Sequence, residues 1–250
     1  MSSALHSTSI WLRLGAWAAY AEALFFVIGF ALYLTLLSDA SYGSLSRPAS
    51  DHVQFLIAHQ AVLYAWYLLI YVAFGIGLVG LAQAIFHWQR HRAPIRAQLG
   101  LVFGIIWAVL VIASGMVANV GFDVIVRLSE HDAAAAESLW YALHVVTDGL
   151  GGGNEVVGGL WILLISSAGW RTRLGPRYLH GFGWTVGGAG VLTTLPPLAD
   201  LGALFGLGSI VWFIALGVAL WQASRATDYR KPPAEASGLH QPVHRSSHLV

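Results

Sequence analysis

The sequence has no cysteine, one lysine and little charge of either sign. Without cysteine the chain forms no disulfide, has no thiolate nucleophile and holds no zinc or iron–sulfur cluster through sulfur. The single lysine, Lys231, lies near the C-terminus, so no lysine Schiff base forms in the apolar part of the chain. Phosphate-binding loops, nucleophile elbows and dinucleotide fingerprints are also missing. These absences favour a non-enzymatic protein.

The composition is that of a membrane protein. Of 250 residues, 57% are hydrophobic and only 10% are charged, which is too apolar for an ordinary soluble domain. The apolar runs reach the ~20 residues that cross a bilayer and do not alternate as barrel strands do, so we expect an all-α polytopic protein. Its predicted partner is the lipid bilayer. A net charge of +1 gives no reason to expect nucleic acid.

Hydropathy and loop composition predict a bundle of six transmembrane helices within residues 1–224. The predicted helices span about 11–37, 54–86, 97–126, 135–169, 178–195 and 201–221. Residues 225–250 are polar and contain proline, which predicts a disordered cytoplasmic tail.

Arginine and lysine predict the orientation of this bundle. Most of them fall on one side of the six predicted helices: Arg13, Arg90, Arg92, Arg96, Arg171, Arg173, Arg177, Arg225, Arg230 and Lys231. Only Arg47 and Arg127 fall on the other side. By the positive-inside rule, both termini are predicted to be cytoplasmic.

The second half of the chain resembles a poorly characterised family of small six-helix bacterial membrane proteins, known as a domain of unknown function. Three segments carry the resemblance, within residues 137–221: GLGGGNEVVGGLWILLISSAGWR at 149–171, LGPRYLHGFGWTVGGAGVLTT at 174–194 and LGALFGLGSIVWFIALGVAL at 201–220. The resemblance implies a six-helix fold in the bacterial inner membrane. It implies no activity, substrate or catalytic residues.

The segment HVVTDGLGGGNE, residues 144–155, is the candidate functional site. On a continuous helix at about 100° per residue, His144, Asp148 and Glu155 share one face inside an apolar segment. The pair of His144 and Asp148 suits a proton relay, a general base or a metal ligand. Alternatively, the two side chains mainly satisfy each other's polar groups inside the bundle and have no further role. Asn154 and Glu155 follow three glycines, a pattern typical of a loosened helix that lines a cavity, although the glycines equally favour tight packing around a protonated Glu155.

Other polar residues are expected near this segment. Glu22 lies deep in the first predicted helix, and Gln60, Asn119 and Asp123 lie towards the outer side, where they can converge with His144. The leading hypothesis is a polar cavity, open to the outer side, that binds protons or a small or lipid-soluble ligand, in a transporter or an accessory subunit. The residues assigned to it are His144, Asp148, Asn154, Glu155, Glu22, Asn119, Asp123 and Gln60.

Two alternatives remain open at this point. His59 and His144, at matching depth on different helices, suit axial ligation of haem or part of a divalent-metal site, as in a membrane enzyme or electron carrier. Alternatively, the protein is a structural membrane subunit. Glycines four residues apart in the last three predicted helices, such as Gly183 and Gly187, permit close packing within the chain, in a homo-oligomer or with a membrane-protein partner.

Overall fold

The chain is all-α, in line with the prediction. A computed structural model describes residues 2–44, 46–152 and 155–229, and these ranges contain no β-strand. Their α-helices are Ser2–Leu32 (α1), Ala49–Ala58 (α2), Gln60–Tyr67 (α3), Phe74–Gln89 (α4), Pro94–Ser129 (α5), Ala133–Thr147 (α6), Val156–Thr172 (α7), Arg177–Leu192 (α8) and Leu201–Tyr229 (α9). π-Helical turns span Tyr33–Leu37, Leu68–Ala73 and Asp148–Gly152, and a 3₁₀ turn spans Pro196–Leu198.

Among the described residues, four helical stretches are long and apolar enough to cross a membrane. They are Thr8–Leu37, Gln60–Gln89, Pro94–Ser129 and Leu201–Asp228, with mean hydropathies of 1.9 to 2.5. The helices α6, α7 and α8 have 15, 17 and 16 residues. At about 1.5 Å per residue, each is shorter than the roughly 30 Å hydrocarbon layer.

The first and last helices extend beyond their expected limits. α1 begins at Ser2 rather than near residue 11, and α9 continues to Tyr229 rather than ending near 221. The last turn of α9 is held by α1, because Ser9 Oγ donates to Asp228 at 2.8 Å and the Arg13 guanidinium pairs with the same carboxylate. Residues 225–229, expected in the tail, are therefore helical. The rest of the expected tail, with its three histidines, lies outside the described residues.

Two helices expected to be continuous are interrupted. The expected helix over 54–86 starts at Ala49 and bends at His59 (φ −121°, ψ 21°). There the imidazole Nδ1 and the backbone N–H of His59 both donate to the Phe55 carbonyl, at 3.1 and 3.0 Å. The expected helix over 135–169 is divided into α6 and α7, because Gly151 has a φ of +132° that ends the regular helical path.

The long helices pack antiparallel and gather the arginines at one end. The start of α1 contacts the end of α4 at Gly15 and Ala84, and Arg92 after α4 donates to the Thr172 carbonyl of α7 at 3.1 Å. We call this the basic end of the bundle. The opposite end, which we call the far end, carries residues 38–44, 46–48, 130–132 and 193–200.

Glycines bring α7 and α8 into backbone contact within the chain. A Cβ on Gly159 would lie 2.6 Å from the carbonyl oxygen of Gly187, and a Cβ on Gly187 would lie 2.7 Å from that of Gly159. Gly183 similarly faces Ser166, whose Oγ would be 2.1 Å from an added Cβ. The glycine spacing noted in the sequence therefore serves close helix approach between these two helices.

Gly187→Ala is expected to lower the free energy of unfolding by about 1–3 kcal/mol, because the added methyl meets backbone atoms that have no room to move. Gly188 is the matched control, since nothing lies within 4 Å of a Cβ built there. Gly188→Ala is expected to leave stability unchanged or to raise it by about 0.5–1 kcal/mol. Thermal unfolding in detergent measures both variants, and equal losses would contradict the packing assignment.

Candidate functional site: an aromatic cavity at a helix break

The break between α6 and α7 is held on both sides by neighbouring helices. Before the break, Ser114 Oγ of α5 donates to the Thr147 carbonyl at 3.1 Å. After it, the Glu155 backbone N–H donates to Thr193 Oγ1, at the end of α8, at 2.9 Å. Thr193 thereby satisfies a backbone N–H at the start of α7, which has no intrahelical partner, and Ser114 adds a hydrogen bond to a carbonyl at the end of α6. Irregular backbone is thereby stabilised among membrane-length helices.

A cavity of about 380 Å³ lies beside this break. Fifteen residues line it: Phe25, Phe26, Gly29, Phe30, Tyr33, Trp66, Ile70, Tyr71, Phe74, Trp107, Val111, Gly151, Glu155, Gly202 and Ala203. More than half of them are aromatic. Among the described residues, Glu155 is the only one in the lining with a carboxylate, and neither lysine nor arginine contributes to it. The cavity is therefore apolar, with one acidic group.

The cavity lies in the half of the bundle away from the basic end. Tyr33 follows α1 in its final π-helical turn, and Gly202 and Ala203 lie in the first turn of α9, after the far-end loop. Gly151 and Glu155 contribute the broken segment. The helices thus place Glu155 in the cavity wall, in the half of the bundle towards the far end.

Glu22 is buried one helical turn below this cavity, towards the basic end. Its side chain is fully buried, and neither carboxylate oxygen has a hydrogen-bond partner among the described residues. Its Oε1 lies 2.5 Å from the position of a Cβ on Gly77 of α4, so a larger residue there would require the Glu22 side chain to shift. Phe26 and Phe74, which line the cavity at the turn next to Glu22, meet edge to face at 5.5 Å.

His144 belongs to a second group of side chains at the far end. We call Tyr42, His52, Trp140 and His144 the outer cluster. The imidazole of His52 stacks on the Trp140 indole at 4.1 Å, and that of His144 stacks on the same indole at 5.1 Å. Tyr42 contacts His52 edge to face at 5.6 Å. This cluster connects the loop segment 38–44 and α2 to α6.

Hydrogen bonds and charge define the two ends of the outer cluster. His52 Nε2 donates to the Ser44 carbonyl at 3.1 Å, and His144 Nε2 lies 3.4 Å from Asp148 Oδ2. The expected pair of His144 and Asp148 is therefore formed in the structure. Tyr71, in the cavity wall, lies within electrostatic range of both Asp148 and Glu155. The outer cluster and the cavity thus lie next to each other along the bundle.

Burial keeps the loop side of the outer cluster neutral. Burial raises the pKa of Tyr42 to about 12. Burial also lowers the pKa of His52, and the positive charges of His144 and Arg47 act in the same direction, against the opposing effects of the Ser44 carbonyl and Asp51. Both side chains are consequently uncharged near neutral pH.

Several expected site residues lie elsewhere. Asp123 pairs with Arg127 on the helix surface, where its side chain is 51% exposed. His59 stacks on Phe55 at 4.3 Å, and no ring contact joins it to His144 among the described residues. Within the same residues, no group of three or more histidine, aspartate or glutamate side chains is arranged to hold a metal ion.

The remaining expected residues have simple placements. Asn119 has a buried Oδ1 without a hydrogen-bond partner among the described residues, and it does not line the cavity. Gln60 is half-buried at the start of α3. Asn154 lies outside the described residues.

Sequence reasoning missed the aromatic character of the site. The sequence did contain a pattern that indicates it. Three aromatic residues of the first helical stretch recur at helical spacing and so share one face: Phe26, Phe30 and Tyr33. His52 gives no such signal, because it lies in a polar stretch that reads as irregular loop and is brought to Trp140 only by tertiary folding.

The fold and the cavity define the class of this protein: an all-helical protein with apolar helices of membrane length and a buried carboxylate-bearing cavity. Compared with protein-family models, curated proteins and solved structures, the chain matches none of them. The resemblance to the six-helix bacterial family therefore stays a prediction based on its motifs.

The outer cluster is expected to lose stability as pH falls. Because the folded state lowers the pKa of His52, the unfolded state binds a proton more readily, and stability decreases as pH drops below about 6.5. The variant His52→Phe keeps a ring on Trp140 and removes the titrating group, so its thermal midpoint should depend less steeply on pH between about 7.5 and 5.5. The control is His131→Gln, whose wild-type side chain is 82% exposed. A slope unchanged in His52→Phe would contradict this assignment.

Proposed function

We propose that the chain crosses the membrane six times, in the bacterial inner membrane that the family resemblance implies, with both termini in the cytoplasm. The crossings are α1, α3 with α4, α5, α6 with α7, α8, and α9. The gathering of arginines at the basic end supports this orientation, because cytoplasmic loops carry an excess of lysine and arginine. α6 and α7 together make one crossing of adequate length, and the shorter α8 is accommodated by local thinning of the bilayer.

This topology is testable because the chain has no cysteine of its own. A single cysteine in Ala133→Cys, at the far end, should react with a membrane-impermeant maleimide added to spheroplasts of a bacterial host. A single cysteine in His91→Cys, at the basic end, should react only after the membrane is opened. The reverse pattern would overturn the proposed orientation. Labelling of both variants from outside would contradict the proposal that the chain crosses the membrane between residues 91 and 133.

We further propose that the protein binds a small, lipid-soluble ligand in the cavity, as a transporter or as an accessory subunit of a membrane complex. The observation that carries this proposal is the aromatic cavity of about 380 Å³ with one carboxylate at a helix break. Ligand sites typically have volumes of about 300–1,000 Å³, apolar walls and a few placed polar groups. Helix breaks within membrane proteins commonly line such sites.

The position of the cavity supports access from the outer side. It lies in the half of the bundle towards the far end, which the proposed orientation puts outside the cytoplasm. Glu155 in the cavity and the pair of His144 and Asp148 next to it also provide proton-binding groups along the same route. Coupling of ligand binding to protons fits this arrangement.

The cavity is expected to retain a small molecule when the protein is purified from membranes. Ala203→Trp places an indole into the lined space and should deplete that molecule. The matched control is Leu204→Trp at the next residue, which is 46% exposed and does not line the cavity. Native mass spectrometry of the three proteins compares their contents. If the two variants retain the same amount of the small molecule, this would count against the cavity as the binding site.

A further inference from the structure

We infer that the ligand of the cavity is a lipophilic organic cation, with its positive group against the Glu155 carboxylate and its apolar groups against the aromatic wall. This inference rests on the proposed function, because it names the class of ligand for the same cavity. It draws on three properties of the site, as far as the described residues define it: an acid without a counter-ion, a wall of aromatic side chains, and a lining without lysine or arginine.

Among the described residues, Glu155 has no cation to neutralise it. Its backbone N–H is bonded to Thr193, but no hydrogen bond or ion pair joins its carboxylate to another described residue. An ionised carboxylate at membrane depth is costly unless it is paired. In this cavity it takes up a proton or a positive group of the ligand. A cationic ligand and a proton therefore compete for the same carboxylate.

The wall favours a cation over a neutral molecule of equal shape. The eight aromatic residues that line the cavity are Phe25, Phe26, Phe30, Tyr33, Trp66, Tyr71, Phe74 and Trp107. Their ring faces carry a negative quadrupole potential that attracts positive charge, most strongly for tryptophan. Organic cations with apolar substituents also gain from burial of those substituents, whereas strongly hydrated metal cations do not.

The surrounding charges exclude an anionic ligand. The cavity is lined by no lysine or arginine, and the basic end of the bundle is at the opposite end of the helices. An anion would meet repulsion from Glu155 without a compensating partner.

Three probes of nearly the same shape test the sign of the charge: methyltriphenylphosphonium, which is a cation, triphenylphosphine oxide, which is neutral, and methyltriphenylborate, which is an anion. Their binding to the full chain in lipid nanodiscs is measured by equilibrium dialysis, with empty nanodiscs subtracted. The cation should bind about tenfold more tightly than the neutral probe, a difference of about 1.4 kcal/mol, and the anion more weakly still.

Variants connect this preference to Glu155. Glu155→Gln should reduce cation affinity about tenfold and leave the neutral probe unaffected, while Glu155→Asp should keep part of the preference. Glu130→Gln removes an acidic side chain that is 69% exposed and should bind all three probes as the wild type does. Size-exclusion chromatography checks that each variant is folded.

The outcomes separate this inference from the proposed function. Equal binding of the cation and the neutral probe, with both lost in Ala203→Trp, would overturn the cation assignment and support a ligand site in the cavity. A cation preference that persists in Glu155→Gln would also overturn the assignment. Binding that is unchanged in Ala203→Trp, or no binding of any probe, would count against the cavity as a ligand site.

Discussion

The hydrogen bond from the Glu155 backbone N–H to Thr193 Oγ1 is the constraint on which the site depends. A helix that breaks within a membrane leaves backbone groups without partners, and each one is costly unless another helix supplies a bond. Thr193 supplies it after the break and Ser114 supplies one before it. With both sides tied, Gly151 adopts its positive φ and Glu155 is fixed at the start of α7, in the cavity wall.

The uneven distribution of small and aromatic residues explains why a cavity forms here. On one side of the break, α7 and α8 approach through Gly159 and Gly187 until their backbones touch. On the other side, large rings such as Phe30, Trp66 and Trp107, which belong to α1, α3 and α5, line the cavity. Rigid aromatic side chains cannot fill every gap between helices that meet at different distances. The space they leave adjoins the broken segment, where the backbone carries fewest side chains.

Much of the fold could be predicted from the pattern of apolar and charged residues along the sequence. Apolar runs of membrane length and the spacing of Arg90, Arg171 and Arg225 indicate the helices and the end at which they gather basic residues, because hydropathy and charge act locally. The glycines of the last helices also indicated close approach. The break was harder to place, since the shared face of His144, Asp148 and Glu155 assumes about 100° per residue throughout. The positive φ at Gly151 ends this regular rotation, so residues before and after it no longer share one helical face. A hydropathy pattern does not reveal the backbone conformation of a single glycine.

The acidic side chains occur at successive depths. Asp148 pairs with His144 beside the outer cluster, Glu155 lies in the cavity, and Glu22 is buried one turn further towards the basic end. Phe26 and Phe74, which line the cavity, meet edge to face at the turn next to Glu22. Glu155 and Glu22 therefore occupy different depths of the same bundle, and of the two only Glu155 is placed in the cavity wall.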